Sequence, residues 1–331
     1  MPDTPGRLRI LTWHVHGNYL YYLSQVPHEF YIPVQPGVAG YSPIGHGFPW
    51  AGNVHEMPAG HVRTERFDCI LYQSRQAYLH DREALLSAEQ RRLPQIYLEH
   101  DPPQAHPTNT VHWFQEAGGT LVHVTPFNAL MWDNGCTPSR VIEHGVRLPR
   151  DVAYRGTIER GIVVVNHLRH RGRRLGLDVF DAMRAQVPLD LAGMDAESLG
   201  GLGEVPNLAL PALMARYRFF FHPIRYTSLG LAVIEAMMAG VPVVGVAATE
   251  LPTVIENGAN GYVDTRLDRL AEVMRALLAD PDLARAWGRE AQVRAAQRFG
   301  IDRFVRDWMA AFDEAVGAPT HNHDPFNEVQ P

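Results

Sequence analysis

Apolar and polar residues fall in blocks that predict strands alternating with helices. Arg7–Trp13 (RLRILTW) is a short apolar run that breaks at HVHGN and is followed by Tyr19–Val26 (YLYYLSQV), which reads as strand, loop and helix. Further strands are predicted over Phe67–Gln73, Pro94–Leu98 and Thr120–Val124, with helices over Asp81–Arg92 and Val111–Ala117. Between them, Pro27 to Arg63 is so rich in Gly and Pro that it reads as one long loop. A second series follows, with strands at Gly161–Val165, Leu189–Ala192, Arg218–His222, Val241–Val246 and Gly261–Val263. Its helices are predicted at Leu175–Ala185, Pro211–Tyr217, Leu231–Ala239, Leu267–Leu278, Asp282–Arg298 and Ile301–Val316. Strands that alternate with helices and end in polar residues imply parallel sheets with ligand groups at their carboxyl edge. The fold class is therefore α/β, with two doubly wound domains over 1–145 and 146–301 and a disordered tail over 318–331.

One position breaks the pattern. Glu235 lies within YTSLGLAVIEAMMAGVPVVGV, on a helix apolar on most sides. An ionised carboxylate left unpaired there costs several kcal/mol. Two answers are open from the residues: a partner such as Arg225, or a ligand whose adjacent hydroxyls donate to the acid, as a ribose does in open α/β sheets.

Composition narrows the chemistry. The chain has 331 residues, 46% of them hydrophobic, and a net charge of −6, which argues against a nucleic-acid-coating protein. All 30 basic residues are Arg, so Schiff-base chemistry and a P-loop lysine are excluded and anions must be met by Arg, His or backbone amides. Cys69 and Cys136 alone make neither a disulfide framework nor a four-sulfur metal site. The first residues carry no signal-peptide pattern, and no apolar run reaches the roughly 20 residues that span a membrane. HVHGN offers a His-x-His pair without a third ligand, so no metal is expected.

The segment HPIRYTSLGLAVIEAMMAGVPVVGVAATELPTVIENGANGYV resembles the signature of retaining GT-B glycosyltransferases of family 4, the group 1 glycosyltransferases. Weaker similarity runs through VIEHGV and VVVNHLRHRGRRLGLDVFDAM. The resemblance implies a GT-B fold of two Rossmann-like domains facing across a cleft. The N-terminal domain takes the acceptor, the C-terminal domain takes the nucleotide sugar, and a final helix over 302–317 crosses back. It implies that Glu235 holds the ribose of the donor, as the second acid of a Glu-x7-Glu pair. Thr227 stands where the first acid of that pair contacts the donor hexose. A Thr at that position still hydrogen-bonds but carries no charge. Ser228, Leu229, Gly230 and Leu231 match the loop whose amides approach the diphosphate, and Asn166, Gly17 and Asn18 fall on the donor side. Ala248–Thr249 replace a Gly-Gly pair, and Thr253 replaces the acid after it. Of the four arginines in RHRGRRLG, Arg169 and Arg174 are expected to clamp the diphosphate. His100 matches a strand-end histidine beside the transferred sugar, or is a satisfied loop histidine; Asp101 and His16 fall on the acceptor side.

The activity so implied is sugar transfer from a UDP- or GDP-sugar to an acceptor hydroxyl, with retention and without a metal or other cofactor. A nucleotide-sugar epimerase and a non-catalytic nucleotide-sugar-binding subunit are the alternatives. The implied location is cytoplasmic, with contact at the inner face of the membrane left open.

Overall fold

The computed structural model describes residues 6–15, 17–45 and 47–317. The expected tail over 318–331 lies outside the described residues. The strands form two sheets, and every pairing within them is parallel. The first sheet contains β1 (Arg9–Thr12), β2 (Glu29–Val34), β3 (Val54–Pro58), β4 (Cys69–Tyr72), β5 (Gln95–Glu99), β6 (Thr120–His123) and β7 (Ser139–Val141), in the order β3-β2-β1-β4-β5-β6-β7. The second contains β8 (Ile158–Val164), β9 (Leu189–Ala192), β10 (Tyr217–His222), β11 (Val243–Val246) and β12 (Gly261–Asp264), in the order β12-β11-β10-β8-β9. Helices cover both faces, which is why the central strands are near-continuous apolar runs such as CILY and VVGV, buried at every position. The strand order reverses between β1 and β4 and again between β8 and β10. Open α/β sheets bind ligands just outside the carboxyl ends of the strands at such reversals.

The helices of the first half are α1 (Gly17–Leu23), α2 (Arg82–Leu85) and α3 (Pro126–Met131). The second half adds α4 (Leu168–Arg171), α5 (Leu177–Arg184), α6 (Leu210–Met214), α7 (Leu231–Met238), α8 (Leu251–Val254), α9 (Leu267–Ala279), α10 (Pro281–Phe299) and α11 (Ile301–Gly317). Three expectations of the sequence fail. The long loop over Pro27 to Arg63 contains β2 and β3. Pro33 is tolerated in β2 because the pairing with β1 ends at Tyr31, so the residue without an N–H lies beyond that ladder. The helix over Val111–Ala117 does not form. His112 donates its N–H to Asp133 O at 2.8 Å and Phe114 its N–H to His112 Nδ1 at 3.0 Å, partners that divert the backbone from helical bonding. The helix over Asp81–Arg92 stops at Leu85, and a reciprocal pair of bonds between Ser87 and Gln90 starts a separate turn.

The two halves are joined by more than the linker. In α11, Phe304, Trp308 and Phe312 recur at i+4 and are fully buried. Trp308 Nε1 donates to Tyr19 of α1 at 3.1 Å, and the Phe312 ring lies 5.5 Å from His28 and 6.3 Å from Phe30. Gly145 admits this helix, because a Cβ there would lie 2.2 Å from Phe304. Arg298 of α10 meets Glu143 at 2.6 Å and Glu250 at 2.9 Å, and Glu250 accepts the Phe127 N–H of α3 at 2.9 Å.

Within the second half, Gly176 fastens the turn before α5 to the end of β10. Its φ is +84°, and an added Cβ would sit 2.1 Å from Pro223 O. Gly176→Ala is therefore expected to destabilise the fold by ~2–4 kcal/mol. An unchanged denaturation midpoint would mean that these segments do not touch.

Candidate functional site

At the carboxyl end of β10, His222 is buried, and desolvation pulls its imidazole down to about 4, so it is neutral at pH 7. The chain then turns through Pro223–Gly230. Gly230 has φ +86° and ψ 130°, a conformation costly for any residue with a side chain, and α7 starts directly after it without a side-chain cap. The first-turn N–H groups of an uncapped helix are free to meet an anion. Ser228 and Leu229 are buried beneath this turn, while Thr227, Gly230 and Leu231 are half-buried. Thr249 donates its hydroxyl to Ser228 O at 3.2 Å from a left-handed backbone, φ +54°, unusual for a β-branched residue and found where Gly was expected nearby.

Glu235, one turn into α7, is 2% exposed. Its Oε1 accepts a hydrogen bond from the Tyr22 hydroxyl at 3.0 Å, and its Oε2 is buried with no partner among the described residues. Arg225 is not its partner: that guanidinium is bidentate to Asp178, at 2.6 and 2.8 Å. Desolvation pushes Glu235 up to about 7, opposed by the Tyr22 hydrogen bond.

The basic loop faces the same turn. Arg174 O accepts the N–H groups of Arg225 at 3.1 Å and Tyr226 at 3.2 Å, stitching the two loops together. The four arginines divide. Arg169 is turned away, because its guanidinium donates to Ser198 Oγ at 3.2 Å and to Ser198 O. Arg173 pairs with Asp178. Arg171 and Arg174 make no ion pair at all among the described residues. Although Arg171 keeps solvent contact, the protein packed about its head pulls its pKa down; Arg174 adds to this by like charge, and Asp101 of the first domain opposes it. Of the pair expected from sequence, Arg169 is tied to Ser198, whereas Arg174, like Arg171, makes no ion pair among the described residues. Asn166 is exposed at the end of β8, where its Oδ1 accepts the Met194 N–H at 2.9 Å.

Across the cleft, the ends of β1, β4 and β5 are tied by one amide. Gln73 donates from Nε2 to Thr12 Oγ1 at 2.9 Å and to Trp13 O at 3.1 Å, which leaves its Oε1 as the acceptor for His100 Nε2 at 3.2 Å. His100 therefore carries its proton on Nε2, and its ring meets the edge of Tyr19 at 4.9 Å. Beneath it, Glu99 accepts the Asp101 N–H at 2.9 Å and faces His112 Nε2 at 3.1 Å. Burial pushes Glu99 up to about 8 and His112 down to about 3. Tyr226 donates its hydroxyl to Pro103 O at 3.0 Å, bringing the loop after β10 against the loop that carries His100 and Asp101. Gly17 and Asn18 open α1 at the end of β1. His14 Nδ1 lies 3.2 Å from Pro43 O, and His16 lies outside the described residues. Phe48 stacks on Tyr21 of α1 at 4.8 Å, with Trp50 5.5 Å from Phe48.

Two residues join this site that the sequence did not single out, Tyr22 and Arg171. Arg171 stood in plain view within RHRGRRLG; Tyr22 is one aromatic residue among several in an apolar helix and gave no signal.

Residues 197–294, which span the turn before α7, α7 itself and much of α10, match the family model for glycosyl transferases group 1. That segment is a group 1 glycosyl transferase module. The chain is 48% identical over 54 residues to O-antigen chain mannosyltransferase B of Escherichia coli, which is 16% of this chain and 14% of that protein. It is 34% identical over 103 residues to D-inositol 3-phosphate glycosyltransferase 1 of Catenulispora acidiphila, 29% of this chain and 24% of that protein. The matched stretch thus spans a quarter or less of these curated relatives. In three dimensions the group 1 module and the domain before it superpose together on solved glycosyltransferases. Sucrose-phosphate synthase from Thermosynechococcus elongatus matches with a TM-score of 0.68 at 16% identity, over 95% of this chain and all of that one. Anabaena HepE in complex with UDP matches with a TM-score of 0.63 at 16% identity, over 93% of this chain and 100% of that one. The fold is GT-B.

Proposed function

We propose that the protein transfers a sugar from a nucleotide-sugar donor to an acceptor hydroxyl with retention at the anomeric carbon. The observation that carries this reading is a buried carboxylate, Glu235, with one oxygen unpartnered, at the carboxyl edge of β10 inside the group 1 module. In this reading Glu235 accepts the ribose hydroxyls, and the amides of Ser228 to Leu231 meet the diphosphate. Arg174 and Arg171 neutralise the charge that grows on the leaving group, the usual largest electrostatic contribution. Thr227 faces the sugar with a neutral hydroxyl, and Asn166, Gly17 and Asn18 border the donor. His100 lies beside the transferred sugar, with Asp101 and His16 toward the acceptor. The acceptor oxygen attacks the face that the diphosphate leaves: the new carbon–oxygen bond forms as the bond to phosphate breaks, and the departing phosphate oxygen takes the acceptor proton. UDP is present in the HepE complex, which supports a nucleotide donor here; a solved S. aureus TarM mutant, matched with a TM-score of 0.57 at 14% identity, holds UDP with α-GlcNAc-glycerol, which supports a glycan or small-molecule acceptor.

No helix among the described residues is long and apolar enough to cross a membrane. We place the reaction in the cytoplasm, where nucleotide sugars are made.

The test is a panel of UDP- and GDP-sugars offered with lipid-linked, glycan and small-molecule acceptors, with and without EDTA. Transfer that survives EDTA is the expected result. Loss with EDTA and recovery with a divalent ion would reject neutralisation by arginine. An epimerised donor without transfer, or binding without turnover, would replace the transferase reading; Thr227 in place of an acid is the residue that motivates the latter.

A further inference from the structure

Glu235 belongs to the second domain, yet its one side-chain hydrogen-bond donor among the described residues comes from the first. Tyr22 is held by α1, whose neighbours Tyr19, Leu20 and Leu23 are buried in the first domain's core, and its hydroxyl crosses to Glu235 Oε1 at 3.0 Å. Burial and the facing carboxylate both keep that hydroxyl protonated, so it is a committed donor. A phenol hydroxyl donating to a carboxylate is chemically the contact that a ribose hydroxyl makes. With the Tyr22 hydroxyl in place, one carboxylate oxygen is taken and the other has no partner among the described residues.

We propose that Tyr22 is a nucleotide-site residue supplied by the opposite domain: its hydroxyl stands on Glu235 in the empty protein and is exchanged for a ribose hydroxyl when the donor binds. This rests on the reading of Glu235 as the ribose-binding acid. The physical need is plain. A buried carboxylate with no donor at all is far costlier than one half satisfied. The same contact competes with the ligand, and apparent affinity falls by the fraction of molecules in which the exchange has not occurred.

Tyr22→Phe keeps the ring and its packing and removes only the competing hydroxyl. By calorimetry it is expected to bind UDP, or GDP if that is the preferred base, roughly 3–10-fold more tightly than the parent. The 2′,3′-dideoxy form of the same nucleotide, which has no hydroxyl to exchange, is expected to bind both proteins equally. Weaker binding by Tyr22→Phe, an unchanged affinity, or equal tightening for both nucleotides would overturn the inference. Glu235→Ala separates the two levels. If it weakens nucleotide binding while Tyr22→Phe fails to tighten it, only Tyr22 is misassigned. If it leaves binding unchanged, or if neither nucleotide binds the parent, the reading of Glu235 falls and this inference with it.

Discussion

Glu235→Ala is expected to weaken binding of a nucleoside diphosphate by about 1.5–3 kcal/mol, the size of a hydrogen-bonded contact to a charged group. The same variant is expected to be more stable than the parent at pH 8. Burial lifts the Glu235 pKa to about 7, whereas an unfolded chain holds a glutamate near its ordinary value of 4.5. Between those values the folded protein binds more protons than the unfolded one, so stability falls as pH rises across that window, by at most about 3 kcal/mol. Glu99, pushed up to about 8, contributes with the same sign and remains in the variant. Denaturation at pH 5 and pH 8 should therefore show a smaller loss in Glu235→Ala than in the parent. Equal losses, together with unaltered nucleotide affinity, would mean that the acid is neither strained by burial nor used by a ligand.

Arg174→Ala is expected to lower the transfer rate by roughly 10²–10³-fold, as removal of a charge-stabilising donor does elsewhere. It should weaken the nucleoside diphosphate much more than the nucleoside, since only the former carries phosphate. Arg169→Ala is expected to change the rate less than about 3-fold, because that side chain is tied to Ser198. Measured kcat values decide the matter: equal losses in the two variants, or a larger loss in Arg169→Ala, would reverse the assignment within the loop.

The sequence revealed the two-sheet plan because strands buried on both faces read as unbroken apolar runs, as GIVVV, RFFFH and VVGV do. It failed at β2, where a proline masks a strand that needs its N–H on one side only. It failed again at 111–117, where histidine and aspartate partners divert a helical pattern. Glu235 was legible for an equally local reason: a single acid in an apolar helix asks for a donor. That Arg169 is tied to Ser198 was not legible, since Ser198 lies 29 residues further along the chain, beyond β9. Tyr22 was further out of reach, because its partner is 213 residues away in the chain and in the other domain.

Because α11 lies in the core that α1 and the first sheet share, the polypeptide passes between the halves twice, near Gly145–Val146 and again near Gly300, where Val146 and Gly300 form a bridge. A chimera that joins this second half to a foreign first half thus has two natural seams rather than one. Cutting at the first alone would leave Trp308 without its socket and the foreign half with an unfilled groove. Residues 301–317 travel with the first half, whatever their position in the gene.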